Sequence, residues 1–288
     1  MKQLFLACIL LLGLNAAFSK PLYTIFTGIK KGTYYEVAED IQKSCPQFEI
    51  NIESTIGSLQ NINSLITAPV IKNGYRFALV QEDALNAVIG SEERAKEVYK
   101  IVSYLYKEEI VIITSRKSNI KSVSDLSGKK VAGGLPGSGI WFTSNKLRTS
   151  LNLKWINIDK SPEESILSVL TGEVDAMIMV GGSPVRLFEE LGKPLSQYIV
   201  AIPLINPILN TMYEPAQINK GTYPWQDYPI ETKAVKSIMI AGADVPDNAI
   251  KELKECLTQN QTAIQKFGHQ KWKEILPLKA DQKASQEK

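Results

Sequence analysis

Phe77-Ala78-Leu79-Val80-Gln81-Glu82-Asp83 decides the fold class. Four consecutive apolar residues stop at a polar triplet, and a helical pattern then follows over residues 84–89. A short strand that is apolar at every position is buried on both faces, as in a parallel sheet covered by helices on either side. Two units of the same kind precede it. Residues 23–27 (YTIFT) predict a strand, followed by a loop from Gly28 to Gly32 and a helix over 33–44. Residues 48–54 alternate as FEINIES with Phe48, Ile50 and Ile52 on one face, stop at a Thr55-Ile56-Gly57-Ser58 turn, and give way to Leu59, Ile62, Leu65 and Ile66 at helical spacing. Three such units in succession define an α/β chain with a mostly parallel sheet.

The pattern recurs downstream. After two β-rich stretches at 99–106 and 109–115 come a strand at 130–132, a loop from Gly133 to Gly139 and a helix at 140–151. A short strand at 157–158 precedes Ser161-Pro162-Glu163-Glu164, which carries an N-cap Ser, a Pro at the first helical position and a Glu that closes a capping box. Residues 175–180 form another buried strand running into Gly181-Gly182-Ser183-Pro184. Strands at 199–205 and 234–241 are separated by a stretch rich in Pro, Tyr and Gly, and Ile250, Leu253 and Leu257 mark the apolar face of a final helical region over 247–267. The strands at 110–114 and 234–241 are the expected crossovers between two halves. From 279 to 288 apolar periodicity is lost, and a mobile tail is expected.

Composition narrows the function. The 288 residues are 44% hydrophobic and 22% charged, with 33 basic against 30 acidic side chains and no long basic run. A nucleic-acid-tracking surface requires clustered Lys and Arg, so no nucleic-acid partner is expected. Lys2, an apolar run over residues 4–14 and the small residues Ala17 and Ser19 predict a leader of residues 1–19 cleaved before Lys20. The apolar run is about half the length of a membrane span. Export leaves two cysteines, Cys45 and Cys256, either bridged or separately buried.

Enzyme signatures fail on spacing. The one histidine, His269, lies near the end of the last helical stretch and reads as a packing residue. No nucleophile elbow, P-loop or dinucleotide fingerprint is complete, and no His or Cys spacing fits a metal, so no cofactor is expected. What recurs is position: loops at 28–35, 55–58, 81–83, 135–141 and 181–184 each follow a strand. In doubly wound sheets ligands bind outside the carboxyl ends of the strands. Gly, hydroxyls and helix N-termini suit a small anion there.

Gly32-Thr33-Tyr34-Tyr35, Ala78-Leu79-Val80-Gln81 with Asp83, Asp125-Leu126-Ser127-Gly128-Lys129-Lys130-Val131, Pro136-Gly137-Ser138-Gly139, Val180-Gly181-Gly182-Ser183-Pro184 and Gly221-Thr222-Tyr223-Pro224 follow one another in an order that resembles the TAXI solute-binding proteins of TRAP transporters. The resemblance covers residues 22–276. It implies a two-lobed, type II periplasmic binding fold, α/β, with two doubly wound mixed sheets joined by crossing hinge strands. Residues 20–114 and 241–278 would form lobe I and residues 115–240 lobe II, with Cys45 and Cys256 both in lobe I. The implied function is a periplasmic, monomeric, non-enzymatic receptor that passes a small anionic solute, glutamate or a dicarboxylate, to a membrane-embedded TRAP permease. The ligand contacts carried over are Gly32, Thr33, Tyr34, Tyr35, Thr55, Gly57, Ser58, Gln81, Asp83, Gly137, Ser138, Gly139, Trp141, Gly182 and Ser183. Ile29-Lys30-Lys31 departs from the small residues usual before the tyrosine pair, so a bulkier loop or a cation turned toward the cleft is expected. The alternatives are an exported sensor or adhesin on the same fold and a two-lobed enzyme of the hydroxymethylbilane-synthase or prephenate-dehydratase kind.

Overall fold

The computed structural model describes residues 20–67 and 74–275; the expected leader and C-terminal tail lie outside them. The chain opens with β1 (Leu22–Phe26), α1 (Thr33–Ser44), β2 (Glu49–Glu53), α2 (Ser58–Thr67), β3 (Gly74–Gln81), α3 (Glu82–Ile89) and α4 (Glu92–Val98). A 17-residue strand, β4 (Tyr99–Ser115), leads into β5 (Lys130–Ala132), α5 (Gly139–Ser150), β6 (Ile156–Ile158), α6 (Pro162–Thr171), β7 (Ala176–Gly181) and α7 (Arg186–Glu189). It closes with β8 (Ile199–Ile202), β9 (Glu214–Ile218), β10 (Ile230–Gly242) and α8 (Asp247–Phe267).

The strands form one sheet in the order β2-β1-β3-β10-β4-β7-β5-β6, with β8 added to β4 and β9 to β10. Two parallel triplets of matching order, β2-β1-β3 and β6-β5-β7, flank the antiparallel pair β10 and β4. The repeat in the sequence is therefore a repeat in topology. The two expected sheets are continuous because β10 pairs with β3, β4 pairs with β7, and β10 and β4 pair with each other. Their shared register slips between Lys236 and Ile238 and again between Met239 and Ile240.

Alternation along the strands supplies cores on both faces. Tyr23, Ile25, Phe77, Leu79 and Met239 pack with Val37 and Ile41 of α1 and Leu253 of α8, while Ala78, Val80, Ile238 and Ile240 meet Ile62 and Leu65 of α2 and Leu85 of α3. In the second half Val111, Ile113, Met177 and Met179 face α6 and α7, and Ile110, Ile112, Ile178 and Val180 face Leu147 of α5. Each such side chain contributes roughly 1.5–3 kcal/mol on full burial. Cys45 and Cys256 are joined in a disulfide that ties the end of α1 to α8.

Three local expectations are corrected. The stretches at 99–106 and 109–115 are a single strand, because Lys107, Glu108 and Glu109 keep extended pairing with Ala234, Val235 and Lys236. Ile66 is 45% exposed, so the buried stripe of α2 is Ile62 and Leu65 without it. The stretch between Pro207 and Pro229 contains β9 and buries Tyr223 and Trp225, whose rings stack 5.4 Å apart. Ser161 and Glu164 form the expected capping box of α6.

Candidate functional site

The carboxyl ends of the two triplets enclose a cavity of about 60 Å³. The loops after β1, β2, β5 and β6 bring to it the N-terminal ends of α1 (Thr33), α2 (Ser58), α5 (Gly139) and α6 (Pro162). The first turn of each helix carries N–H groups without intrahelical partners and the positive end of the helix dipole. Ile29, Ile56, Ile140, Met179 and Val180 supply apolar walls, and among the described residues no Lys or Arg lines the cavity.

The polar floor is built from the ends of β3 and from β4. Gln81 donates its amide to Glu108 Oε2 at 3.3 Å and accepts from the Thr143 hydroxyl at 3.4 Å, while Ser58 Oγ accepts from the Gln81 backbone N–H at 3.1 Å. A Cβ at Gly139 would stand 2.6 Å from Ser58 Oγ and collide with the Gln81 amide, so only Gly lets α5 approach this closely. Glu108 is 2% exposed, and its Oε1 has no hydrogen-bond partner. The buried hydroxyls of Tyr34, Tyr106 and Ser237 likewise make no hydrogen bond of regular geometry, although those of Tyr34 and Ser237 lie against the Glu108 carboxyl. Burial raises the Glu108 carboxyl to about 7, against the opposing pull of the Tyr34, Gln81 and Ser237 dipoles, with the Asp83 charge adding to the rise.

Of the residues expected to contact ligand, Gly32, Thr33, Tyr34, Gly57, Ser58, Gln81 and Gly139 line the cavity. The others stand elsewhere. The Thr55 hydroxyl donates to Asn61 Oδ1 at 2.6 Å and accepts from Gly57 N at 2.9 Å, which shapes the loop from within. Ser138 caps α5 by accepting from Trp141 N at 3.0 Å; Gly137, at φ +96°, offers its carbonyl to Gln60 N at 2.9 Å. Gly182 O accepts from the Thr33 hydroxyl at 2.7 Å, and Ser183 donates its N–H to Glu109 and accepts from Tyr223. Tyr35 and Trp141 do not wall the cavity. Asp83 accepts from the Tyr213 hydroxyl at 2.9 Å and borders a separate hollow of about 790 Å³ with Lys146. Lys31 turns to Glu190 at 2.5 Å rather than toward the cavity, and it is Ile29 that occupies the wall.

Sequence inspection missed Glu108. Its one signal was an acidic pair, Glu108-Glu109, inside an otherwise β-forming stretch. Glu109, the next residue, is also buried but fully partnered: Oε1 meets Lys271 Nζ at 2.6 Å and Oε2 accepts from Ser183 N at 2.8 Å. His269 packs as expected, with Nε2 2.8 Å from the Pro184 carbonyl and Nδ1 accepting from Lys271 N, and burial holds its pKa below the ordinary value. Among the described residues no cluster of His, Cys, Asp or Glu could hold a metal ion, and no helix is long and apolar enough to cross a membrane.

Two matching triplets closing their carboxyl ends over a cavity define the class: the fold is that of the type II periplasmic binding proteins. Residues 25–286 match the NMT1-like family, and the chain belongs to that family. Among solved structures it resembles the periplasmic binding protein BugD (13% identical, TM-score 0.60, covering 91% of this chain and 90% of that one). It also resembles MatC from Rhodopseudomonas palustris with bound malate (12%, TM-score 0.56, 84% of each chain). A third is the amino acid ABC transporter substrate-binding protein AbpA from Streptococcus pneumoniae bound to L-arginine (15%, TM-score 0.51, 91% and 95%). At these identities the likeness is one of fold.

Proposed function

We propose that this protein is a periplasmic receptor of the TAXI kind, exported with cleavage before Lys20, that captures a small carboxylate-bearing solute and passes it as a monomer to a TRAP-type permease. The observation that carries this is the convergence of the N-termini of α1, α2 and α5 on one partly open cavity that, among the described residues, no cationic side chain lines. A carboxylate there takes hydrogen bonds from backbone N–H groups and the helix dipoles, as anions do at helix N-termini generally. Residues 20–114 with 241–278 and residues 115–240 act as two lobes that part about β4 and β10. Among the contacts that would break on opening are Thr33 with Gly182, Gln60 with Gly137, Lys31 with Glu190 and Asp83 with Tyr213. Because the solute bridges both sets of loops, it favours the closed arrangement by its differential affinity.

The test is a thermal-shift screen of the purified protein against amino acids, dicarboxylates, oxo acids and sugars. A ligand at 100 times its Kd adds about 2.7 kcal/mol to stability, so a carboxylate that binds raises the melting temperature measurably. The shift is expected to disappear in Gln81→Ala. Shifts with sugars alone would remove the carboxylate assignment.

A further inference from the structure

The cavity holds one feature that a receptor for a simple anion does not need. Glu108 brings a carboxyl group, 2% exposed, into the wall among the same helix N-termini that suit a carboxylate. Its Oε1 lacks a hydrogen bond of regular geometry, and the buried hydroxyls of Tyr34 and Ser237 beside it interact with the carboxyl without supplying one. The neighbouring cations are committed elsewhere: Lys107 to Glu214 at 2.7 Å and Lys271 to Glu109 and Glu274 at 2.6 Å each. A buried carboxylate without a cation or a full set of donors is costly, and natural sites retain one where something else completes it.

We propose that Glu108 is the specificity-determining residue of the cavity, accepting a protonated nitrogen of the solute while the solute's carboxylate lies at the helix N-termini. The solute class is then a zwitterion carrying ammonium and carboxylate, and a dicarboxylate is rejected because its second charge meets Glu108. This rests on the receptor assignment and narrows it. The uncompensated carboxyl also repels anions in proportion to its ionisation. Discrimination therefore grows as pH rises through about 7, where burial has placed the Glu108 carboxyl. Glu36 of α1, on the far side of Tyr106, is also raised to about 7, so the signal of Glu108 is read against a Glu36→Gln background. Tyr34 from α1 and Tyr106 from β4 are pushed up well above 10 by burial, while Asp83 from α3 adds only a weaker charge repulsion.

The experiment is calorimetric titration with pairs of solutes that differ in the nitrogen alone: L-glutamate against 2-oxoglutarate, L-alanine against pyruvate, and L-leucine against 4-methyl-2-oxopentanoate. At pH 8 the amino member of the binding pair is expected to bind at least tenfold tighter. That preference should shrink to within about threefold at pH 5.5, and to the same level at pH 8 in Glu108→Gln. Should Glu108→Gln fail to fold, the pH series on Glu36→Gln, in which Glu108 is the remaining carboxyl raised to about 7, carries the test. Equal or tighter binding of the oxo acid at pH 8 overturns the role of Glu108 and leaves the receptor assignment standing. Absence of binding by every member of every pair, in folded protein, overturns the carboxylate receptor assignment and this inference with it.

Discussion

Glu108 and Glu109 are neighbours on one strand, both buried, and the two faces of β4 treat them in opposite ways. Alternation along a strand turns successive side chains to opposite sides. Glu109 meets the C-terminal segment, where Lys271 neutralises it and the Ser183 N–H takes its second oxygen. Glu108 meets the cavity, where Gln81 gives one long hydrogen bond, the Tyr34 and Ser237 hydroxyls interact with it, and no cation among the described residues lines the site. The same side chain is a structural bolt on one face and an open valence on the other. What separates them is partner supply, since both are almost fully removed from solvent.

The largest expected effect comes from breaking the satisfied side. Lys271→Ala leaves the Glu109 carboxylate buried without its cation and should cost about 3–5 kcal/mol in urea unfolding; a loss below about 1 kcal/mol would mean that Glu109 relaxes to water. Replacing Cys45 and Cys256 together with Ala should cost about 2–4 kcal/mol. The bridge anchors α8, which leads into the segment bearing Lys271, so the double variant should also weaken the effect of Lys271→Ala when the changes are combined. Additive losses would show that the segment is held by its own contacts.

The unsatisfied side predicts a pH effect of smaller size. A carboxyl whose folded pKa is raised to about 7 from an ordinary 4.5 keeps its proton longer in the native state than in the unfolded chain. Stability from this source is full below about 4.5 and is lost as pH rises through about 7. Glu36, also raised to about 7 mainly by burial, contributes a decline in the same window. Melting temperature should therefore fall between pH 5 and pH 8 by less in Glu108→Gln than in the wild type, and by least in Glu36→Gln/Glu108→Gln. An unchanged slope in both variants would contradict the buried placement of these carboxyls. The smallest effect is expected from Tyr34→Phe, which deletes a buried hydroxyl that makes no hydrogen bond of regular geometry and should change stability by under about 1 kcal/mol.

Much of this architecture is legible locally. The apolar run at 77–80, the start of α1 after Gly32 and the Ser161/Glu164 box each depend on residues within a few positions of one another. The continuity of β4 is not, because Lys107-Glu108-Glu109 reads as a polar break until the partner strand β10 is placed beside it. β9 hides in a Pro- and Gly-rich stretch for the same reason: its order comes from pairing with β10 and not from its own composition. The cavity loops were legible as a set, and seven of the fifteen expected contacts line it. The remainder serve the loops themselves, since hydroxyls such as Thr55 and Ser138 are taken up by nearby backbone and side-chain groups. Glu108 escaped notice because its lack of a partner is a tertiary property. Nothing in the local sequence distinguishes it from Glu109, whose cation lies 162 positions away.

The closing of the first triplet by the last third of the chain has a consequence for biogenesis. Tyr23 reaches Ala249 across 226 positions, and β3 completes its pairing only when β10 arrives. Contacts of such long range form late because their loop entropy must be overcome first. The N-terminal segment, made earliest on the ribosome, therefore stays without its finished core until nearly the whole chain has emerged. In the exported receptor proposed above, this delay would keep the polypeptide threadable through a translocation channel until the C-terminal helix has joined it.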